Sequence, residues 1–211
     1  MKLKALAIVF SCCAVSFVRT ALLSGYADGQ SGRVTPIPRE AVPAVLDERS
    51  VQERSGLSAP DEIAGLLARE KALVVASQRP DRLVVGADQT LALGHRLFSK
   101  PGDSAQAAEQ LRTLAGQTHE LHSAVAVARG HKILFQAASF ARMTMRPLSA
   151  GEIRGYLDEA GDAATSSVGA YQLEKLGVHL FERIEGDHFT ILGLPLLPLL
   201  AFFRGEGLLG P

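Results

Sequence analysis

Five side chains in this sequence have types and positions suited to chemistry on a phosphate: Asp88, Lys71, Lys100, Glu48 and Arg19. Asp88 follows the apolar run Arg82 to Ala87, which puts an acid at the carboxyl end of a buried strand, facing the crevice where α/β sheets bind ligands. Position alone suits a turn acid or helix cap equally well. Lys71 comes four residues after Leu67 and three before Val74, so it projects from the apolar face of its helix. An ammonium there is either paired with an anion or snorkels along the core edge to water. Lys100 stands before Pro101-Gly102, on a restricted turn that fixes a positive charge or simply exposes a surface lysine. Glu48, between Asp47 and Arg49, is a second metal-binding acid or a solvated charge. Arg19 has the fork geometry that phosphates favour, and the nearby helix N-terminus adds donors of the right sign; its plainer role is a helix-surface arginine.

The elements that must position these residues are legible in outline. A buried first strand is expected over Leu3 to Ser11, then a short helix from Ser16 to Ser24 stopping at Gly25. Asp28 to Gly56 is rich in Pro, Gly and Arg without periodicity and reads as a long irregular excursion. Ser58-Ala-Pro-Asp61 resembles a hydroxyl-capped start to the helix that carries Lys71 and runs to about Ser77. Leu91 to Phe98 folds back through Gly94 as a small hairpin. Helices over Ser104 to Leu114 and Ala150 to Glu159 are bracketed by Asp103 and Gly116, and by Ser149-x-x-Glu152 and Gly161. Between them, Glu120 to Ala128 and Lys132 to Arg146 form a long antiparallel hairpin around Arg129-Gly130-His131. A further hairpin is expected from Val178 to Ile184 and His188 to Leu192, and an apolar helix over Pro195 to Arg204 closes the chain. The fold class is therefore α/β or mixed α+β: a central mixed sheet with long antiparallel hairpins, flanked by helices, in one domain over residues 1–211.

Composition narrows the function classes. Lys plus Arg and Asp plus Glu both total 22, so net charge gives no reason to expect a nucleic-acid polymer as partner. Any phosphate site must be local. Adjacent Cys12 and Cys13 suit neither a disulfide framework nor a thiolate zinc site, and a reducing compartment follows. Lys2 and Lys4 before an apolar run resemble the opening of a signal peptide, but no small-x-small cleavage site follows. The expectation is a cytoplasmic protein without a membrane span. His119 and His122, three apart on a strand, point to opposite faces and do not chelate together. Walker and dinucleotide glycine motifs are absent.

Taken as a set, Ser16-Phe-Val-Arg19, Asp47-Glu48, Ala68-Arg-Glu-Lys71-Ala72, Val85-Gly-Ala-Asp88 and Lys100-Pro101 resemble the Maf-type nucleotide pyrophosphatases in order and spacing. The likeness extends through Gly116-Gln-Thr-His119, Gly169-Ala-Tyr171, Ile184-Glu-Gly186-Asp187 and Leu192-Gly-Leu-Pro195. It implies a Maf / inosine triphosphatase-like fold and hydrolysis of a nucleoside triphosphate, between its α- and β-phosphates, to the monophosphate and pyrophosphate. By the same resemblance Asp88 is the central catalytic acid, with Lys71, Lys100 and Glu48 supporting it. Asp88 and Glu48 would hold a divalent cation, Mg²⁺ or Mn²⁺, and Ser16 and Arg19 would bind phosphate. A hard cation held by few carboxylates plus phosphate oxygens, with fixed lysines neutralising charge, fits that chemistry.

The chain departs from the family pattern at Ala14, where a serine is usual, at Ser166-Ser167, where a lysine is lost, at Gln89, where threonine is usual, and at Glu174, where glutamine is usual. Gln89 and Glu174 are thus the substrate-binding positions at which nucleotide preference is expected to differ, a methylated or otherwise unusual base included. A catalytically weakened nucleotide-binding regulator linked to cell division is the alternative function, and an exported or lipid-anchored protein is a third reading. A homodimer through the apolar C-terminal helix or a hairpin edge is a further expectation.

Overall fold

Sheet formation begins where β-branched and small residues run without charge. Leu83–Leu93 (β5) is the central strand of a mixed seven-stranded sheet in a computed structural model that describes residues 6–10, 26–27, 34–35 and 39–209. On one edge β5 pairs in parallel with Leu6–Phe10 (β1), which pairs in parallel with Arg39–Ala41 (β4). Tyr26–Ala27 (β2) and Val34–Thr35 (β3) form a separate two-stranded ribbon. On its other edge β5 pairs antiparallel with Thr118–Arg129 (β7), then Lys132–Met145 (β8) and Phe181–Glu185 (β9) follow in order. The hairpin between β7 and β8 turns at Gly130, and Arg96–Phe98 (β6) folds back on β5 at Gly94, both glycines at positive φ as their turns require.

Helices cover both faces. Between β4 and β5 lie Glu48–Ser55 (α1) and Pro60–Gln78 (α2). The alanine-rich face of α2 packs on Val84, Ala124, Ala126 and Ala128. On the opposite face Leu199 and Phe203 of the last helix, Leu196–Gly205 (α7), bury against Leu83, Val85, Val125 and Val127, each such side chain worth roughly 1.5–3 kcal/mol. A third cluster joins Ser104–Leu114 (α3), Ala150–Ala160 (α4) and Ala163–Ser166 (α5) to the far end of the sheet around Leu91, Leu121 and Met143. Among the described residues no helix is long and apolar enough to cross a membrane.

The differences from expectation are local. Asp88 is not at the end of β5; the strand continues five residues past it. The described pairing with β1 reaches just short of it, its last pair being Phe10 with Ala87. Asp88 therefore follows the last described parallel pair, while pairing with β7 carries β5 onward. The irregular excursion contains the helix α1, which buries no residue and so leaves no apolar periodicity to read. Caps define it instead: Asp47 accepts from the Ser50 amide (3.0 Å) and hydroxyl (2.7 Å), and Gly56 closes it in the left-handed region. At α2 the N-cap is Ala59 without a side-chain bond, and Pro60 at the first helical position replaces the expected serine cap. The second half of the predicted late hairpin is a short helix, His188–Ile191 (α6), because Asp187 accepts from the Thr190 amide and hydroxyl and starts a turn. The expected first helix, with Ser16 and Arg19, and Ala14 and the two cysteines lie outside the described residues.

Candidate active site

A cavity of about 850 Å³ lies against Ala87 to Thr90 of β5. β1 pairs with β5 up to Ala87 and β6 pairs from Leu91, so Asp88 to Thr90 have no strand on that edge among the described residues. Asp88 and Gln89, on opposite faces of the strand, both line the cavity. The cavity is large enough to enclose most of a nucleotide.

Its charged floor depends on how closely α2 approaches β5. A Cβ added at Gly86 would lie 2.3 Å from the Ala68 carbonyl oxygen and 2.7 Å from the Ala72 amide nitrogen, so only glycine permits that contact. Ala68 and Ala72 supply the matching small surface on the helix, and Lys71 is carried between them. Asp88, two residues after Gly86, shares its face of the strand. As a result the Lys71 ammonium, 1% exposed, donates a hydrogen bond to Asp88 Oδ1 and lies 3.0 Å from Glu48 Oε1. Of the two roles open to Lys71 from sequence, pairing is the observed one. Glu48 reaches it from the first turn of α1 with its side chain 41% exposed.

Burial pushes the Asp88 carboxyl up from its usual value to about 6, against the opposing pull of Lys71 and, more weakly, of Lys100, with Glu48 adding to the rise. Oδ1 is engaged by Lys71, which leaves Oδ2 as the oxygen able to take a proton from water. Lys100, exposed, lines the lip of the cavity beyond β6. Gln89 points to the other face of the sheet, where its amide nitrogen lies 2.9 Å from Ser123 Oγ, 3.1 Å from the Thr190 carbonyl and 3.0 Å from that of Ile191. It lines the cavity while tying α6 to the sheet. Glu174 is exposed on the opposite wall, in the segment Ser167 to Glu174. Three predicted catalytic residues, Asp88, Glu48 and Lys100, thus border one cavity with Gln89 and Glu174, and the fourth, Lys71, is buried behind them against Asp88 and Glu48, while Ser16 and Arg19 fall outside the described residues.

Two features escaped the sequence. Arg49 and Gln52 of α1 also line the cavity, a consequence of a helix that only its caps could have signalled. Tyr171 lines it too, with its hydroxyl 2.7 Å from Nε2 of the buried His119. Both residues stand in segments that carry the family likeness, Gly116-Gln-Thr-His119 and Gly169-Ala-Tyr171, but nothing in either segment shows that they meet.

A helix that glycine lets close onto the sheet, carrying a buried lysine onto a strand aspartate, fits the class to which this chain belongs: it is a member of the Maf family, whose model, described as Maf-like protein, matches residues 15–206. Among its relatives is the nucleoside triphosphate pyrophosphatase of Rhodopseudomonas palustris (strain BisB18), 64% identical over 173 residues, which are 82% of this chain and 86% of the relative. The nucleoside triphosphate pyrophosphatase of Bradyrhizobium diazoefficiens is 65% identical over 80% of this chain and 84% of its own. The 7-methyl-GTP pyrophosphatase of Rhizobium etli is 51% identical over 80% and 85%. A solved nucleoside-triphosphatase / dITP/XTP pyrophosphatase from Mycobacterium abscessus covers 96% of this chain at 16% identity, but with a TM-score of 0.37 the superposition is too loose to establish a shared fold.

Proposed function

We propose that this chain hydrolyses a nucleoside triphosphate to its monophosphate and pyrophosphate. The observation that carries the reading is the buried Lys71 and Asp88 pair, with the half-exposed Glu48 beside it, at a nucleotide-sized cavity, and the names of the relatives agree with it. A water oxygen adds to the α-phosphorus as Asp88 Oδ2 accepts its proton. The bond from that phosphorus to the α,β-bridging oxygen breaks, and pyrophosphate leaves with the electron pair. A carboxyl held near 6 is a competent base at neutral pH. Lys71 holds Asp88 in place, and Lys100 at the lip neutralises the leaving phosphates.

The Asp88 and Glu48 carboxylates both contact the Lys71 ammonium and so lie beside one another at the cavity, and a pair of carboxylates completed by substrate phosphates suits a hard cation such as Mg²⁺ or Mn²⁺. Asp88 and Glu48 would hold it, and bound there it would polarise the phosphate and lower the charge facing the attacking water. Ser16 and Arg19 are proposed to bind the phosphate chain. Gln89, through the α6 turn it holds, and Glu174 shape the ribose and base end. A carboxylate at Glu174 favours a base that offers donors or positive charge, such as the 7-methylguanine named for the Rhizobium etli relative.

The test is pyrophosphate release from a panel of canonical and base-modified triphosphates, 7-methyl-GTP among them, with Mg²⁺ or Mn²⁺. Release together with a monophosphate, lost in Asp88→Ala, is the expected result. Nucleotide binding without release from any member would overturn the hydrolytic reading in favour of a regulatory one.

A further inference from the structure

We infer that His119, buried beneath the cavity on β7, is a positioning residue that fixes Tyr171 as the wall against which the nucleoside end of the substrate is held. This rests on the nucleotide reading above, but its argument comes from different residues. Tyr171 lines the cavity with only 5% of its surface exposed, and His119 is fully buried. Their 2.7 Å hydrogen bond joins the Ser167 to Glu174 wall to the sheet, and a buried polar pair of this kind leaves an expensive orphan when either partner is removed.

The backbone before Tyr171 is bent to deliver the ring. Gly169 has φ 77° and Ala170 has φ 62°, the one non-glycine residue at positive φ among those described. A Cβ at Gly169 would sit 2.6 Å from Leu91 Cδ1 and 2.7 Å from Tyr171 Cε1, so the turn presses the tyrosine against its own start and against β5. A left-handed alanine is disfavoured by about 1 kcal/mol and persists only when its surroundings hold it. The surroundings here are the histidine bond and Phe181, whose ring packs edge-on at 4.8 Å from Tyr171 and tilted at 5.9 Å from His119.

His119 acts through a bond and not a charge, since burial pushes its imidazole down to about 4. Nδ1 has no hydrogen-bond partner. An orphaned lone pair is better tolerated than an orphaned N–H, which places the proton on Nε2 and makes the histidine the donor to the tyrosine oxygen. Neither residue hydrogen-bonds Asp88, Lys71 or Glu48, so the pair contributes to holding the nucleoside and not to the phosphate chemistry.

The experiment compares Tyr171→Phe, which keeps the ring, with His119→Ala and His119→Gln, the last able to donate from nearly the same point. Steady-state kinetics on the best nucleoside triphosphate are set beside inhibition by inorganic tripolyphosphate, which has no nucleoside. Tyr171→Phe and His119→Ala should each raise KM about tenfold, the size of one lost buried hydrogen bond, with kcat within about threefold and tripolyphosphate inhibition unchanged. His119→Gln should recover most of the loss. An unchanged KM in Tyr171→Phe, a fall confined to kcat, or equal weakening toward tripolyphosphate would overturn the assignment. If the wild-type chain binds nucleotides but turns none over, hydrolysis is the reading that fails, and calorimetric affinities of the same variants decide this one.

Discussion

Two carboxylates in this molecule show how differently a fold can treat the same group. Glu152 opens α4 in a complete capping box: it accepts from the Ser149 amide (2.8 Å) and hydroxyl (2.7 Å), and Arg146 binds its other oxygen at 2.6 Å. The Arg146 and Ser149 bonds hold its carboxyl down at about 2. Asp88 has a lysine in contact, yet burial pushes it up to about 6. The signs of linkage are opposite. Glu152 contributes stability that is full above its ordinary value of 4.5 and is lost as pH falls through about 2. Asp88 contributes stability only where it is protonated, full below 3.8 and lost as pH rises through about 6. At neutral pH the folded chain thus carries a penalty at Asp88 on the order of 3 kcal/mol, at 1.36 kcal/mol per unit. A charge kept where it destabilises the fold is the mark of a working residue, and a charge at a cap is the mark of a structural one.

Removing each carboxylate's cation should separate the two most widely. Lys71→Met leaves Asp88 buried without a partner, and breaking such a pair destabilises by roughly 3 kcal/mol, near the low end of the usual range because Asp88 can take up a proton instead. The loss should be greater at pH 7.5 than at pH 5, and pyrophosphate release should fall on the order of 100-fold or more. Arg146→Gln exposes Glu152 to water that is already there and should cost far less at both pH values. Urea unfolding at the two pH values measures this directly; equal losses at the two sites would mean that burial is not what distinguishes Asp88.

Glycine sharpens the same contrast. Gly86→Ala places a methyl group against the α2 backbone, which no rotamer can relieve, so α2 must retreat and take Lys71 with it. Destabilisation of about 2 kcal/mol is expected, with loss of activity. Gly155, inside α4, has nothing within 4 Å of an added Cβ, and Gly155→Ala should stabilise by about 0.5–1 kcal/mol with activity intact. Thermal melts of the two variants should shift in opposite directions. Same-sign shifts would remove the close approach as the reason for glycine at position 86.

What sequence disclosed follows the same division. Elements built by burial or by strong caps were legible: the β7 and β8 hairpin, α3, α4 and α7 lie within a few residues of their expected bounds, and β5 starts where expected but runs on six residues past Ala87. The helix α1 was not, because a polar helix held only by caps has no periodicity, and with it went the placement of Glu48 on a helix and of Arg49 beside the cavity. The late hairpin failed at α6, where Asp187 and its two bonds to Thr190 overrode a short apolar run. At the site, Lys71 could be placed on an apolar face from spacing, but its partner is 17 residues away in sequence and depends on Gly86, which is a packing fact. The His119 and Tyr171 bond spans 52 residues and left no local trace.

A smaller loss than at Lys71 or Gly86 is expected at the cap itself. Ser149→Ala removes the hydroxyl that accepts from the Glu152 amide at 3.2 Å and donates to its carboxylate at 2.7 Å, and loss of such a cap costs about 1 kcal/mol. Because the Ser149 hydroxyl is one of the groups that lower the Glu152 carboxyl, the variant should also lose stability less steeply as pH falls from 4.5 toward 2. Pyrophosphate release at neutral pH should not change, since α4 packs against α3 and the outer cluster and lends no residue to the cavity. Unfolding free energies across pH 2.5 to 7 in wild type and variant are the measurement. A variant that kept the wild-type acid limb would show that Arg146 alone sets the Glu152 carboxyl, and one that lost activity in step with stability would show that the cap and the site are not independent regions.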